Sequence, residues 1–367
     1  MKLKADSVKD SYTYEKSGVS VKKAKDAHSI IGKLIKETFK FRKGELGGVL
    51  GEYGHYASLI DVGNICLALH ADGVGTKVLV AQMMNKYDTV GIDLVAMNAN
   101  DLICIGAEPI CLLDYLAVEN IDDQIVSEIM KGVVTGAKEA NMSVIGGETA
   151  IIPDIIKGSV KGKGFDLAGV SLGFVQKEDI ITGEKIEVND IIFGLDSNGI
   201  HSNGLTLARK TYFEKEKYKI TDQFGETGHS IGEELLRPTK IYVKVVLNII
   251  KNVEVHGLAH ITGGAFSKLM RLSFKEIGFS LTSLPKPPLI FQDIQKMTNI
   301  SNEEAYRTFN MGIGFCIITA KDNLEILEKI CDKHKIKGRL IGNIINKKGV
   351  IIKDPLGGPT DRFNVGL

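Results

Sequence analysis

Charge imbalance is almost missing from this chain: 46 Lys and Arg stand against 45 Asp and Glu over 367 residues, a net charge of +1 at pH 7. Nucleic-acid and membrane-surface binding draw on a basic excess, so neither has an electrostatic case here. The start, MKLKADSVKDSYTYEKSG, lacks an apolar segment, and no secretory signal is expected. No apolar run reaches the roughly 20 residues that span a bilayer. C-x-x-C is absent too. The five cysteines, Cys66, Cys104, Cys111, Cys316 and Cys331, are odd in number and mostly sit in apolar runs, so free buried thiols in a reducing compartment are expected. These absences predict a soluble, cytoplasmic protein with no nucleic-acid or membrane partner.

Glycine, in contrast, is plentiful. Its 40 residues exceed the usual share of about 7% and imply many positive-φ turns or close backbone approaches. The length favours two domains over one core. Six short motifs rich in Gly, Asp, Asn and His lie beside apolar runs. They are HADGVGTK (His70 to Lys77), NANDL (Asn98 to Leu102), GGET (Gly146 to Thr149), NGIHSNG (Asn198 to Gly204), HITGGAF (His260 to Phe266) and YRTFNMGIG (Tyr306 to Gly314). Read as turns, such segments present backbone N–H groups, carboxylates and a cation to a phosphorylated ligand. GVGTK resembles the end of a P-loop. The full G-x-x-x-x-G-K-[ST] spacing is absent, and Thr76 precedes Lys77, so that class of nucleotide site is rejected.

The periodicity predicts mixed α/β structure in both halves. Helices are expected at Ala24 to Phe39, Thr89 to Ile105, from Asp122 and Asp123 onward, at Thr239 to Lys251, and at Asn323 to Lys333. Strands are expected at Ile65 to His70, Ile110 to Ala117, Ser143 to Ile145 (entering a Gly146-Gly147 turn), Asp166 to Val175, Ile191 to Leu195, Ile313 to Thr319 and Gly338 to Ile345. The charged stretch Gln176 to Asp190 is the expected junction, dividing the chain into residues 1–176 and 177–367. Lys22, Lys23 and Lys25 read as solvated surface.

The expected helix from Thr89 is apolar on nearly every side, yet carries Asp93, Asn100 and Asp101. Buried carboxylates need a paired or bound cation. Either they form one wet stripe or pair with Lys or Arg, or at least one holds Mg2+. Asp72 and Glu148 are further carboxylates that, with Asp101, could form a cluster from separate loops. Lys77 can meet phosphate as a point charge. His201 is either a bystander in a turn that needs Asn and Gly, or faces a ligand with Ser202 and Asn203 as donors. Thr262, Gly263 and Gly264 precede a helix N-terminus, a ready anion site. His55, His256 and His334 read as structural or surface.

Taken in order, DGVGTK, YDTVGIDLVAMNANDL, GAEP, LDYLA, GGETA, DLAGVSLG, GIHSNGL, RPTKIYVK, AHITGGAF and YRTFNMGIG, preceded by YEKSGVS (Tyr14 to Ser20), resemble the phosphoribosylformylglycinamidine cyclo-ligase family over most of the chain. The resemblance implies ATP-dependent closure of formylglycinamidine ribonucleotide to aminoimidazole ribonucleotide, with ADP and phosphate released. It implies a two-domain, PurM-like α/β (α+β) fold, a homodimer whose N-terminal sheets join in a barrel, and ATP with Mg2+ near the subunit boundary. By motif it assigns Asp72, Asp101 and Glu148 to metal. Gly73, Gly75, Thr76, Lys77, Asp93, Asn100, Gly146 and Gly147 join Asp72 around the nucleotide. Ser202, Asn203, Thr262, Gly263, Gly264 and Asn310 face substrate. His201, Lys77 and Asp101 are the catalytic candidates, with His201 transferring protons near its ordinary pKa. His70-Ala71 stands where Thr is frequent in the family. GGAF replaces GGGF, so Ala265 must tolerate a glycine's backbone angle. The tail DPLGGPTDRFNVGL is unlike the family ending and has no derived role.

Sister enzymes of the same architecture, which make selenophosphate, phosphorylate thiamine phosphate or act in hydrogenase maturation, form the enzymatic alternative. The selenophosphate chemistry uses a reactive Cys or selenocysteine in an N-terminal Gly-rich segment, and no cysteine precedes Cys66 here. A nucleotide-binding paralogue without turnover is the non-enzymatic alternative; its sign would be loss of Asp72, Asp101 or Glu148, and all three are present.

Overall fold

The computed structural model describes residues 17–18, 21–51, 54–273, 276–356 and 362–365. The YEKSGVS motif, apart from Ser17 and Gly18, and part of the C-terminal tail lie outside them.

Two mixed sheets organise the chain. The first contains β1 (Val49–Leu50), β2 (Ser58–Asp61), β3 (Ile65–Gly73), β4 (Glu108–Val118), β5 (Ser143–Ile151) and β6 (Phe165–Gln176), in the spatial order β1-β2-β3-β6-β4-β5. Only β4 and β5 run parallel. With it go the helices α1 (Val21–Phe39), α2 (Lys77–Met84), α3 (Asp88–Ile103) and α4 (Asp123–Ala140). The second sheet contains β7 (Ile191–Asp196), β8 (Gly257–His260), β9 (Gly278–Leu281), β10 (Ile313–Thr319), β11 (Gly338–Ile345), β12 (Gly349–Lys353) and β13 (Arg362–Asn364), in the order β13-β12-β9-β11-β7-β10-β8. Its helices are α5 (Leu205–Arg209), α6 (Ile231–Leu235), α7 (Val243–Asn252), α8 (Leu289–Thr298), α9 (Asn302–Thr308) and α10 (Leu324–Lys333).

Helix α4 begins where its sequence says it should. The Asp122 side chain accepts from the Gln124 and Ile125 N–H groups, and Asn141 ends the helix at φ 56°. Helices α3 and α4 touch backbone to backbone, which only glycine permits: a Cβ on Gly132 would lie 1.7 Å from the Asp88 carbonyl oxygen, and one on Gly91 2.2 Å from that of Ile129. This contact seats α3 on β3 and β6, and the other side of α3 meets α7 and β8 of the second half. Helix α3 is therefore buried from both halves, as its all-round apolar sequence requires.

Two expected boundaries are corrected. Gly146-Gly147 is not a turn: β5 continues through it to Ile151, paired residue by residue with β4 from Gly146–Leu113 to Ile151–Val118. Strand β3 likewise runs past His70 to Gly73, held by its partner β6. Six strands, β1, β2, β8, β9, β12 and β13, are not among those expected from the sequence. Helix α5 passes directly into a π-helical turn, Lys210–Lys215.

Candidate active site

Along α3, Asp93, Asn100 and Asp101 each reach across to the second half of the chain. Asp93 lies 2.8 Å from the Lys77 ammonium, and both side chains are fully sealed from solvent. Its carboxylate also accepts from the Thr239 N–H at 2.7 Å and the Thr239 hydroxyl at 2.5 Å, while Lys77 donates to the Arg237 carbonyl at 2.6 Å. Asn100 accepts from the Tyr242 N–H and donates to the Lys240 carbonyl, both at 2.9 Å. The strap from Arg237 to Tyr242, within RPTKIYVK, is thus gripped by one face of one buried helix.

Asp101 opens a different environment. His260, the last residue of β8, donates from Nδ1 to Asp101 Oδ1 at 2.6 Å, and the amide of Asn100 faces His260 Nε2 at 3.4 Å. An ionised carboxylate only accepts, so His260 carries its proton on Nδ1 and offers Nε2 as acceptor. His70 Nε2 stands 3.5 Å from Asp101 and 3.9 Å from Asp72. Burial raises the Asp101 pKa, but the charge of Lys268 and the His260 bond outweigh it and hold the carboxyl far below its usual range. Lys268 Nζ rests on the Thr262 hydroxyl. The ammonium and the Arg271 guanidinium both lie over the Tyr56 ring, 5.5 and 5.3 Å from its centre. The cluster opens to solvent at Asp72 and at Gly263.

The NGIHSNG turn forms the adjoining wall. His201 is buried at φ 66°, and its Nε2 accepts from the Asn198 N–H at 3.0 Å. Burial above all, with the nearby charges of Lys77 and Lys240, pushes its pKa well below the ordinary value. This corrects the expectation that His201 titrates near 6.5; it is a neutral imidazole. Asn310 is saturated: it donates to the Gly199 and Ile200 carbonyls and accepts from Ser197 and the Gly312 N–H, tying this turn to the one before β10. Ser202 faces Thr239 at 3.2 Å. The buried Asn203 amide nitrogen has no partner, and its oxygen lies where any side chain on Gly263 would strike it, 2.9 Å from an added Cβ. Ala265 does adopt the positive φ that its place after two glycines demands, 43°.

The carboxylates do not all converge. Asp72 pairs with Gly169, which pairs with Asp114, which pairs with Gly147; three strand spacings of about 4.8 Å put β5 about 14 Å from β3. Glu148 is exposed and opposite Tyr115, also exposed, whereas Asp72 is one residue out of that row and so faces the other side of the sheet. The expected cluster of Asp72, Asp101 and Glu148 therefore does not form within one chain. Gly147 instead makes room for Asp114, whose carboxylate oxygen is 2.4 Å from an added Cβ, and Gly146 sits at the pairing irregularity with φ 151°. Gly73 ends β3, Gly75 turns the chain at φ 59°, and Thr76 meets the Thr206 hydroxyl at 2.9 Å. No three His, Cys, Asp or Glu side chains among the described residues are placed to hold a metal alone. Asp72 and Asp101 suit an ion of the Mg2+ type, which takes one or two carboxylates and completes its shell with phosphate oxygens and water.

His70 and His260 open two of the six motifs without a role assigned to either, and Lys268, Tyr56 and Arg271 lie outside every motif. Lys268 and Arg271, three apart just after the HITGGAF turn, were the available signal.

Residues 54–175 match the family model described as AIR synthase related protein, N-terminal domain, and residues 187–354 its C-terminal domain. The phosphoribosylformylglycinamidine cyclo-ligase of Methanocaldococcus jannaschii is 47% identical over 91% of this chain and 92% of its own. That of Pyrococcus furiosus is 44% identical over 93% and 98%. Among solved structures, thiamine-monophosphate kinase from Stenotrophomonas maltophilia superposes with a TM-score of 0.58 at 18% identity, covering 86% of this chain and 94% of that one. At that identity the likeness concerns the fold alone.

Proposed function

Because this chain belongs to the phosphoribosylformylglycinamidine cyclo-ligase family, two-domain PurM-like ATP-using ligases of purine biosynthesis, we propose that its ring closure takes place in the cleft where Asp72 and Asp101 meet the Thr262–Gly264 turn. The observation that carries this reading is the ionised, buried Asp101 held between His260 and His70 at a cleft open beside Asp72 and Gly263. Phosphoryl transfer asks for positioning and charge neutralisation, and these residues supply both.

ATP and formylglycinamidine ribonucleotide are the ligands of this reading. The formyl oxygen of the ribonucleotide takes the γ-phosphoryl group, and the Pγ–O bond to ADP breaks. A substrate nitrogen then forms the ring C–N bond as the C–O bond to phosphate breaks, with a proton lost. Asp72 and Asp101 would hold Mg2+, which would neutralise the phosphate charge. Gly73, Gly75 and Thr76 line the nucleotide side. Ser202, Asn203, Gly263 and Gly264 line the substrate side. Asp93, Asn100, Lys77, His201 and Asn310 act by holding the walls together; their hydrogen bonds, spent on the protein's own backbone, support this over direct ligand contact.

The two separate sheets, the first ending with β6 at Gln176 and the second beginning with β7 at Ile191, support a junction in Gln176 to Asp190 that divides residues 1–176 from 177–367. The first sheet has α3 on one face and leaves Leu113, Tyr115 and Val170 exposed on the other; α1 exposes Ile30, Ile31 and Leu34. Such apolar area is suited to a second copy of the chain, so the protein acts as a homodimer joined through these sheets. No helix among the described residues is long and apolar enough to cross a membrane. A cytoplasmic location fits the pathway.

The test is to incubate the pure protein with formylglycinamidine ribonucleotide, ATP and Mg2+. Aminoimidazole ribonucleotide and ADP in equal amounts are expected, and only with metal; ADP without the aminoimidazole product would overturn the reading.

A further inference from the structure

The sequence offered Lys77 of DGVGTK as the cation for phosphate, but its ammonium is spent on Asp93 and the Arg237 carbonyl with no solvent-accessible surface. A second lysine stands where the first was expected. Lys268 rises from the 3-10 turn after Gly264, on the C-terminal side of the cleft, and remains partly exposed. Its partner is a neutral hydroxyl, that of Thr262, and no carboxylate among the described residues makes an ion pair with it. Burial, helped by the like charge of Arg271, lowers its pKa from the ordinary lysine value, while the facing charges of Asp101 and Asp72 pull the other way. Tyr56, buried and donating to the Lys268 carbonyl at 3.5 Å, braces both cations under its ring.

We propose that Lys268 is the catalytic cation that meets the γ-phosphoryl group of ATP. The inference deepens the reading of this cleft as the ATP site and rests on it. Two carboxylates on the N-terminal side attract a metal with the triphosphate end. An ammonium across from them, bonded to a neutral hydroxyl, completes the charge around the transferred group and exchanges that hydroxyl for a charged phosphate oxygen, the stronger partner. The phosphoryl group is in this way clamped between residues of two domains. Arg271, exposed at the rim, backs Lys268 and does not replace it.

The experiment compares wild type with Lys268→Met and Lys268→Arg. Calorimetry reads the binding of Mg-adenylyl imidodiphosphate, Mg-ADP and formylglycinamidine ribonucleotide, and steady-state kinetics reads kcat and KM. Removing the charge should weaken the triphosphate analogue at least about tenfold and ADP by less than about threefold. The ribonucleotide KM should stay put while kcat falls roughly a hundredfold. Lys268→Arg should recover part of both losses. Equal weakening of ADP and the analogue, weakening of the ribonucleotide alone, or a kcat within about threefold of wild type would each overturn the role. A melting temperature that drops sharply in Lys268→Met but not in Lys268→Gln moves the comparison to the Gln variant. A wild type that binds neither nucleotide would sink the ATP reading itself. A wild type and variant that bind both alike would sink only Lys268.

Discussion

The Lys77 ammonium and the Asp93 carboxylate lie 2.8 Å apart with no solvent-accessible surface on either side chain, at the seam between the two halves of the chain. A buried pair gains little over a well-packed apolar one, but half of a pair is costly. Lys77→Met alone should lose about 3–5 kcal/mol of stability, and Asp93→Leu alone a similar amount. The double variant should lose clearly less than the sum, although the Thr239 bonds to Asp93 go with it. Urea titrations of the three variants read this directly, and strict additivity would refute the pairing.

Glycine at the α3–α4 contact makes a sharper demand. Gly132→Ala puts a methyl group 1.7 Å from the Asp88 carbonyl oxygen, so the helices must separate. The expected cost is at least about 1–3 kcal/mol. Because α3 carries Asp101, activity should fall with it. A melting temperature equal to that of wild type would mean that the helices do not meet in this way.

His201 gives a pH prediction with a definite sign. Its folded pKa lies well below the unfolded value of about 6.5, so the unfolded chain takes up the proton first. The stability from keeping this ring neutral is complete above that value and is lost as pH falls below it. In His201→Gln the loss of stability from pH 7 toward pH 5 should be shallower by up to about 1.4 kcal/mol per pH unit. His260, also lowered by burial against the pull of Asp101, still contributes a slope of the same sign, so the profile flattens without becoming level. An unchanged slope would contradict the burial of His201.

The uncovered sheet face predicts its own disruption. In the homodimer proposed above, Leu113→Glu and Val170→Glu, facing each other across β4 and β6, should give a monomer in sedimentation while the circular dichroism spectrum is kept. A dimer that survives both charges would move the interface elsewhere.

What sequence reading could reach follows from what each feature depends on. Helix α3 was legible because its apolar residues and its three polar ones are local facts, and a buried helix must account for every carboxylate it carries. The choice between pairing and metal depended on what crosses from the other half, about 140 to 160 residues away, so both options stayed open; Asp93 turned out to be paired and Asp101 to be held by His260. Gly146-Gly147 was misread because glycine is poor in strands, and only the eight-residue pairing with β4 overrides that weakness. Glu148 lost its place beside Asp72 through the alternation of side chains, a matter of register that no motif displays. Lys268 was passed over for Lys77 since the latter sits in the more conspicuous motif, while burial of an ammonium becomes visible only once both halves are packed.

The most direct test of the whole account is to measure aminoimidazole ribonucleotide and ADP side by side for wild type and Asp101→Asn, at saturating ATP, Mg2+ and formylglycinamidine ribonucleotide. Wild type should release the two products one for one, and the variant, still folded and still melting cooperatively, should lose both by roughly a hundredfold or more. An Asp101→Asn enzyme that closes the ring within about threefold of the wild-type rate would remove the chemistry from this cleft.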